Sequence, residues 1–74
     1  MQNTEENLIY AEVDSFNYHN YIAFGFDCEH LTSAVFVLLH EQFDEDLIDE
    51  NHDDLLLEIE RHYYAAKEDL GQAH

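Results

Sequence analysis

The chain is 74 residues long and carries eighteen Asp and Glu against two Lys and Arg, a formal charge of -16 at pH 7, on a sequence that is 46% hydrophobic and holds ten aromatic residues. That length is one domain, residues 1–74, and the apolar content excludes a disordered acidic tail. The charge excludes attraction to anionic membranes or to nucleic acid itself; because self-repulsion of this size destabilises a compact state, the negative surface is expected to be the working part.

Nothing divides the chain, which has no proline, only Gly25 and Gly71 as glycines, no repeat and no low-complexity linker. Residues 8–16 alternate, with Ile9, Ala11 and Val13 on one side and Tyr10, Glu12 and Asp14 on the other, a pattern that predicts a strand. Residues 21–26 are rich in β-formers and put Ile22, Phe24 and Phe26 on one face, which predicts the second strand of a hairpin. With Asn17, Tyr18, His19 and Asn20 as the loop, Phe16 faces Tyr21, Val13 faces Phe24 and Ala11 meets Phe26, so the two apolar faces coincide. The competing pattern is an N-terminal helix: Asn3 and Glu6 resemble a capping box, and Ile9, Val13 and Phe16 have helical spacing.

From Asp27 onward the pattern is helical. Asp27 suits an N-cap, Glu29 suits the positive end of the helix dipole, and Leu31, Ala34, Val35, Leu38, Leu39 and Gln42 trace a stripe that Phe36 and Val37 widen. This predicts a central helix covered on more than one face. Residues 44–52 read as an acidic connector anchored by Leu47 and Ile48. A last helix is expected over residues 53–70, capped by Asp53 or His52 and ended by Gly71. Its core stripe is Leu56, Ile59, Tyr63, Ala66 and Leu70, flanked by Leu55 and His62, and its outer side carries Asp54, Glu58, Glu60, Arg61, Lys67 and Glu68. The expected fold is α+β, a short N-terminal β hairpin packed on two helices, with an all-α three-helix protein as the alternative.

Cys28 is the single cysteine, so no intramolecular disulfide forms, in keeping with a reducing compartment. The first residues have no basic segment, and the longest apolar runs, 34–39 and 21–24, are too short for a signal core or a membrane span. A cytoplasmic protein is expected.

Catalytic patterns are missing from the sequence. It contains no glycine-rich phosphate loop, no Gly-x-Ser-x-Gly and no cysteine pair for zinc. Cys28 and His30 stand close together, but their acidic surroundings disfavour a thiolate, and an inert cysteine at a helix start is expected. Glu58 and His62 are four apart, and Asp44, Asp46, Asp49, His52 and Asp53 crowd the connector. A calcium loop is excluded there, because Ile48 stands at a ligand position and Asp49 at the glycine position. Weak, charge-driven divalent binding is expected, with no dedicated metal, no cofactor and no enzymatic activity; His19, His40 and His62 read as surface or boundary residues.

The acid distribution remains. A protein that binds DNA non-specifically meets rows of phosphate. Carboxylates three or four apart on a helix stand about 5–6 Å apart at Cβ, and alternate residues of a strand about 6.5–7 Å apart. Glu12 and Asp14 on the strand, Glu41, Asp44, Glu45, Asp46, Asp49 and Glu50 in the connector, and Asp53, Asp54, Glu58 and Glu60 on the last helix would form such rows.

In size, acidity and lack of catalytic residues the whole chain resembles the small acidic DNA-mimic proteins with which phages and mobile elements block restriction enzymes, CRISPR effectors, uracil-DNA glycosylase or nucleoid proteins such as HU. That resemblance implies a host-cell cytoplasmic inhibitor that occupies the basic groove of a DNA-binding or DNA-repair protein and competes with DNA. Tyr10, Tyr18, Tyr21 and Tyr64 would add aromatic contact area. The alternative is a non-catalytic adaptor acting through exposed apolar helix surface. A homodimer is expected in either case, because Phe36, Val37, Leu39, Phe43, Leu57 and Tyr64 exceed what one small core covers.

Overall fold

A computed structural model of the chain describes residues 4–72. Five helices follow one another: α1 (Thr4–Ser15), α2 (Tyr18–Ala23), α3 (Cys28–Gln42), α4 (Glu45–Glu50) and α5 (His52–Gln72). The described residues are 87% helical and contain no strand, so the α+β hairpin expectation is wrong and the all-α alternative holds. The fold is a helical bundle, with two short helices beside the three long ones.

The N-terminal third shows why the hairpin fails. As a strand, residues 8–16 would place Tyr10 on the opposite side from Ile9 and Val13. As a helix they bury Ile9 and Val13 completely and pack Tyr10 and Phe16 against the same core. The helix removes more apolar surface from water. Asn3, half of the expected capping box, lies outside the described residues.

The tetrapeptide 17–20 is a helix start and not a hairpin loop. The Asn17 side chain accepts a hydrogen bond from the Asn20 N–H at 3.3 Å, an N-cap. Tyr18 is buried, and its Oη donates to the Val13 carbonyl at 2.7 Å, tying α2 to the end of α1. Gly25, with φ of 102°, ends α2. The Gly25 N–H donates to the Ile22 carbonyl, the Phe26 N–H donates to the Tyr21 carbonyl, and the Phe26 and Tyr21 rings meet edge to face with centroids 5.0 Å apart. This is a Schellman motif with its accompanying apolar contact. Phe16 and Tyr21 do meet, with centroids 4.7 Å apart, but across a helix corner.

The C-terminal two thirds follow the sequence pattern more closely. Asp27 caps α3 by accepting from the His30 N–H at 2.8 Å, and Leu31, Val35 and Leu39 form its buried stripe. Gln42, expected in that stripe, is exposed. α5 begins one residue earlier than expected and continues through Gly71, which therefore does not terminate it. Its fully buried positions are Leu55 and Ile59, with Tyr63 and Ala66 nearly so, while Leu56 and Leu70 are half-buried. The stripe is thus turned toward Leu55.

α5 is the spine. By the rise of about 1.5 Å per residue its 21 residues run about 31 Å, and α1, α2 and α3 all pack on it. One core cluster joins Ile9, Val13, Tyr18, Leu31, Val35, Leu39, Ile48, Leu55, Ile59, Tyr63 and Ala66. The molecule is elongated, 46 × 21 × 17 Å.

Candidate functional site

The acidic connector is a helix. Asp44 precedes α4 in extended backbone, Ile48 is fully buried and Leu47 packs against the core. These two anchors turn Glu45, Asp46, Asp49 and Glu50 outward, and all four are exposed. Asn51 forms the joint to α5: it is buried, its Nδ2 donates to the Leu47 carbonyl at 2.9 Å, and its Oδ1 accepts from Tyr10 Oη at 3.5 Å. Beyond the joint, Leu55 and Ile59 point inward, which leaves Asp53, Asp54 and Glu60 on the exposed side of α5.

Residues 41–60 therefore carry ten of the eighteen carboxylates and no Lys or Arg. Among them Glu41, Asp44, Glu45, Asp46, Asp49, Glu50, Asp54 and Glu60 make no side-chain hydrogen bond or ion pair, and Asp53 only approaches His52, at 3.6 Å. They form an uncompensated acidic ridge. The residues outside 4–72 have no formally charged side chain, so the whole charge of -16 lies along the 46 Å of the molecule, one net charge per about 2.9 Å. That falls between the roughly 1.7 Å per charge of a DNA duplex axis and the roughly 3.4 Å of a single strand.

Glu12, Asp14 and Glu58 do not join the ridge as a free row. The expected strand edge does not exist; Glu12 and Asp14 lie on α1. Glu12 accepts from Gln42 Nε2 at 3.3 Å. Asp14 Oδ1 lies 2.8 Å from His62 Nε2, and Glu58 Oε2 lies 3.4 Å from the same nitrogen. Glu58 Oε1 accepts from Arg61 at 3.0 Å, so the strongest cation of this region is spent on its own turn. The His62 ring stacks on Tyr18 at 5.1 Å between centroids. Glu58 and His62 were visible in the sequence as a one-turn pair, whereas Asp14, 48 residues away from His62, carried no local signal. A second interhelix pair, His19 Nε2 to Asp69 at 3.3 Å, ties α2 to the far end of α5.

Of the tyrosines expected to face a partner, Tyr18 is buried, Tyr10 and Tyr21 are half-buried, and Tyr64 is 60% exposed. Burial, with Asp14 and Glu58 nearby, pushes the Tyr18 phenol well above its ordinary range, and burial with Asp54, Glu6 and Glu58 raises Tyr10. At the other end, the His30 N–H and ring lower the Asp27 carboxyl, while the hydrogen bond to Asp27 raises His30. The six apolar residues expected at a dimer seam divide. Leu39 is fully buried, Phe36 stacks on His52, and Phe43 packs on the core, which leaves Val37, Leu57 and Tyr64 exposed.

Comparison of the chain with protein-family models, with curated protein sequences and with solved structures gives no match. No helix among the described residues is long and apolar enough to cross a membrane.

Proposed function

We propose that this protein is a DNA-mimic inhibitor: it presents the 41–60 ridge to the basic DNA-binding surface of a host protein and competes with DNA for it. The observation that carries the reading is the ridge itself, eight carboxylates without a side-chain partner, Asp44 just before α4 and the other seven on helices whose other faces are anchored in the core. Carboxylates at helical spacing match a row of basic side chains as phosphates do, and because the backbone that carries them is held by packing, little backbone ordering is needed on binding. Phage origin and a host-cytoplasmic setting belong to the same proposal, as does the nature of the target: a nucleoid protein, a restriction or CRISPR effector, or a DNA-repair enzyme. No catalytic step is assigned.

A second reading, a homodimeric or adaptor role, is favoured by Leu57 and Tyr64. Both are 60% exposed and stand two turns apart on the outer side of α5. They would serve equally as apolar anchors beside the ridge.

The test is competition. Asp44, Glu45, Asp46, Asp49, Glu50, Asp53 and Asp54 are replaced by Asn or Gln, which keeps side-chain shape and removes charge. The variant is expected to fold and to lose displacement of DNA from a basic target recovered from host lysate, and the parent's displacement is expected to weaken steeply with salt. Undiminished displacement by the folded variant would replace charge mimicry with the apolar reading.

A further inference from the structure

Outside the ridge, one group of donor atoms converges from two helices. Asp14 lies in the last turn of α1, Glu58 and His62 lie one turn apart on α5, and one ligand atom from each falls within 4.8 Å of the others. Such a set is more than a patch of acids. The His62 Nε2 forms a hydrogen bond with Asp14 Oδ1 at 2.8 Å and lies 3.4 Å from Glu58 Oε2.

The distances can be set against a tetrahedral metal. Zinc bonds imidazole nitrogen and carboxylate oxygen at about 2.0–2.2 Å, so the edge between two of its ligands is about 3.3–3.5 Å. The His62 to Glu58 separation of 3.4 Å is already that edge. The His62 to Asp14 separation of 2.8 Å is that of a hydrogen bond. It opens to an edge by a small rotation of the Asp14 side chain, which is 52% exposed and has the room.

The surroundings hold the ligands in place. The Tyr18 ring lies parallel to the His62 ring, at 10° and 5.1 Å, and Tyr18 is itself fixed by its bond to the Val13 carbonyl. Arg61 takes Glu58 Oε1 and leaves Oε2 directed at His62. A hydrogen bond such as that from Arg61 orients a ligating carboxylate, and the stacked Tyr18 ring limits rotation of the imidazole. Two carboxylates with one imidazole as ligands carry two negative charges, which a divalent ion balances, and one nitrogen with two oxygens suits zinc, copper or nickel better than calcium, magnesium or manganese, which prefer all-oxygen sites.

We propose that Asp14, Glu58 and His62 bind one zinc-type divalent cation, which clamps the end of α1 to the middle of α5 and leaves an outward position for water. This site is independent of the mimic reading, since it uses none of the eight unpartnered ridge carboxylates.

The experiment is calorimetric titration of the full chain with zinc chloride at neutral pH and physiological ionic strength, with magnesium chloride as the control for charge density. Thermal melts of each sample accompany it. The parent should take up one zinc at micromolar concentration, melt higher with zinc, and show the His62 ring resonances shifted, while magnesium gives no comparable effect. His62→Gln and Asp14→Asn should each weaken zinc binding by about tenfold or more, since even outer-shell changes at metal sites weaken binding by about 10–100-fold, and should abolish the zinc-induced rise in melting temperature. Equal responses to zinc and magnesium, or a His62→Gln variant that binds zinc like the parent, would overturn the site. Should His62→Gln not fold, Asp14→Asn decides by the same readout.

Discussion

Asp49 and Glu50 occupy the last turn of α4, and their replacement by Asn and Gln is expected to stabilise the fold. Within α4, Asp49 stands three and four residues from Asp46 and Glu45, and Glu50 stands four from Asp46. These are three like-charge pairs at facing positions, each worth about 0.2–0.5 kcal/mol of repulsion, so about 1 kcal/mol is recovered when both charges go. The helix dipole acts in the same direction, because acids are unfavourable at a C-terminus. Asn matches Asp and Gln matches Glu closely in helix propensity, and neither residue lies in the core, so the opposing loss is limited to the attraction of these charges to the N-terminus of α5, which begins at His52. In a domain of this size 1 kcal/mol moves the melting midpoint by roughly 4–8 °C. Circular dichroism melts of parent and double variant at about 10 mM and 0.5 M NaCl are the assay. The gain should be full at low salt and largely gone at high salt, where the Debye length falls from about 30 Å to a few ångströms, and the parent itself should melt higher as salt rises. A double variant no more stable than the parent at low salt would show that the ridge charges are compensated in solution, and would remove the basis for treating them as held there for a partner.

Tyr18→Phe removes the bond to the Val13 carbonyl and should lower stability in urea by about 1–2 kcal/mol, the loss typical of a buried hydrogen bond. The same variant should flatten the alkaline limb of the stability profile. Burial raises the folded-state pKa of Tyr18 above its ordinary value near 10, so its contribution is complete below pH 10 and declines above it, where only the unfolded chain ionises. Tyr10, also raised, should retain part of that decline, and an unchanged limb in Tyr18→Phe would contradict the assignment. Gly25→Ala places a Cβ where nothing lies within 4 Å, yet at φ of 102°. A loss of about 1–2 kcal/mol from backbone strain alone is expected, and a neutral result in denaturant titration would mean that the α2–α3 turn relaxes without cost.

Where the sequence misled, it did so in a short amphipathic segment that satisfies two periods at once. Ile9 and Val13 are alternate members of a strand face and also one turn apart on a helix, and the choice between them rests on partners far along the chain, Leu31, Leu55 and Ile59. The decisive local signals were Asn17 and Gly25. They act as N-cap and as the left-handed residue closing α2, roles that fit a short helix better than a loop and a strand. The long helices were legible because α3 and α5 each repeat an apolar stripe over several turns and Asp27 marks a start. The acidic ridge was legible as composition, since ten carboxylates within twenty residues stay on the surface whatever fold is adopted. The His62 cluster was not, because the packing of α1 on α5 brings Asp14 to it.

Two groups of carboxylates differ in their physical consequences. Glu12, Asp14, Glu58 and Asp69 are each met by a side chain of another element or of the next turn: Gln42, His62, Arg61 or His19. They contribute to the seams between helices, where an unpartnered charge would oppose packing. Those of residues 41–60 that face outward have no such partners, and the two basic residues that would neutralise them stand further along α5. Arg61 is engaged with Glu58, and Lys67 lies over the Tyr63 ring at 5.7 Å. Solubility requires a net charge of only a few units in a domain this small, and fold stability is lowered by every further unpaired charge on α4. The ridge is therefore an arrangement that folding opposes and solubility does not require. On the proposed function a basic partner surface would supply the compensation missing within the chain, and docking against it should relieve the same repulsion that the Asp49 and Glu50 replacements measure. Parent and ridge-neutralised proteins should then differ in opposite senses in the two assays, the variant more stable alone and weaker in displacing DNA.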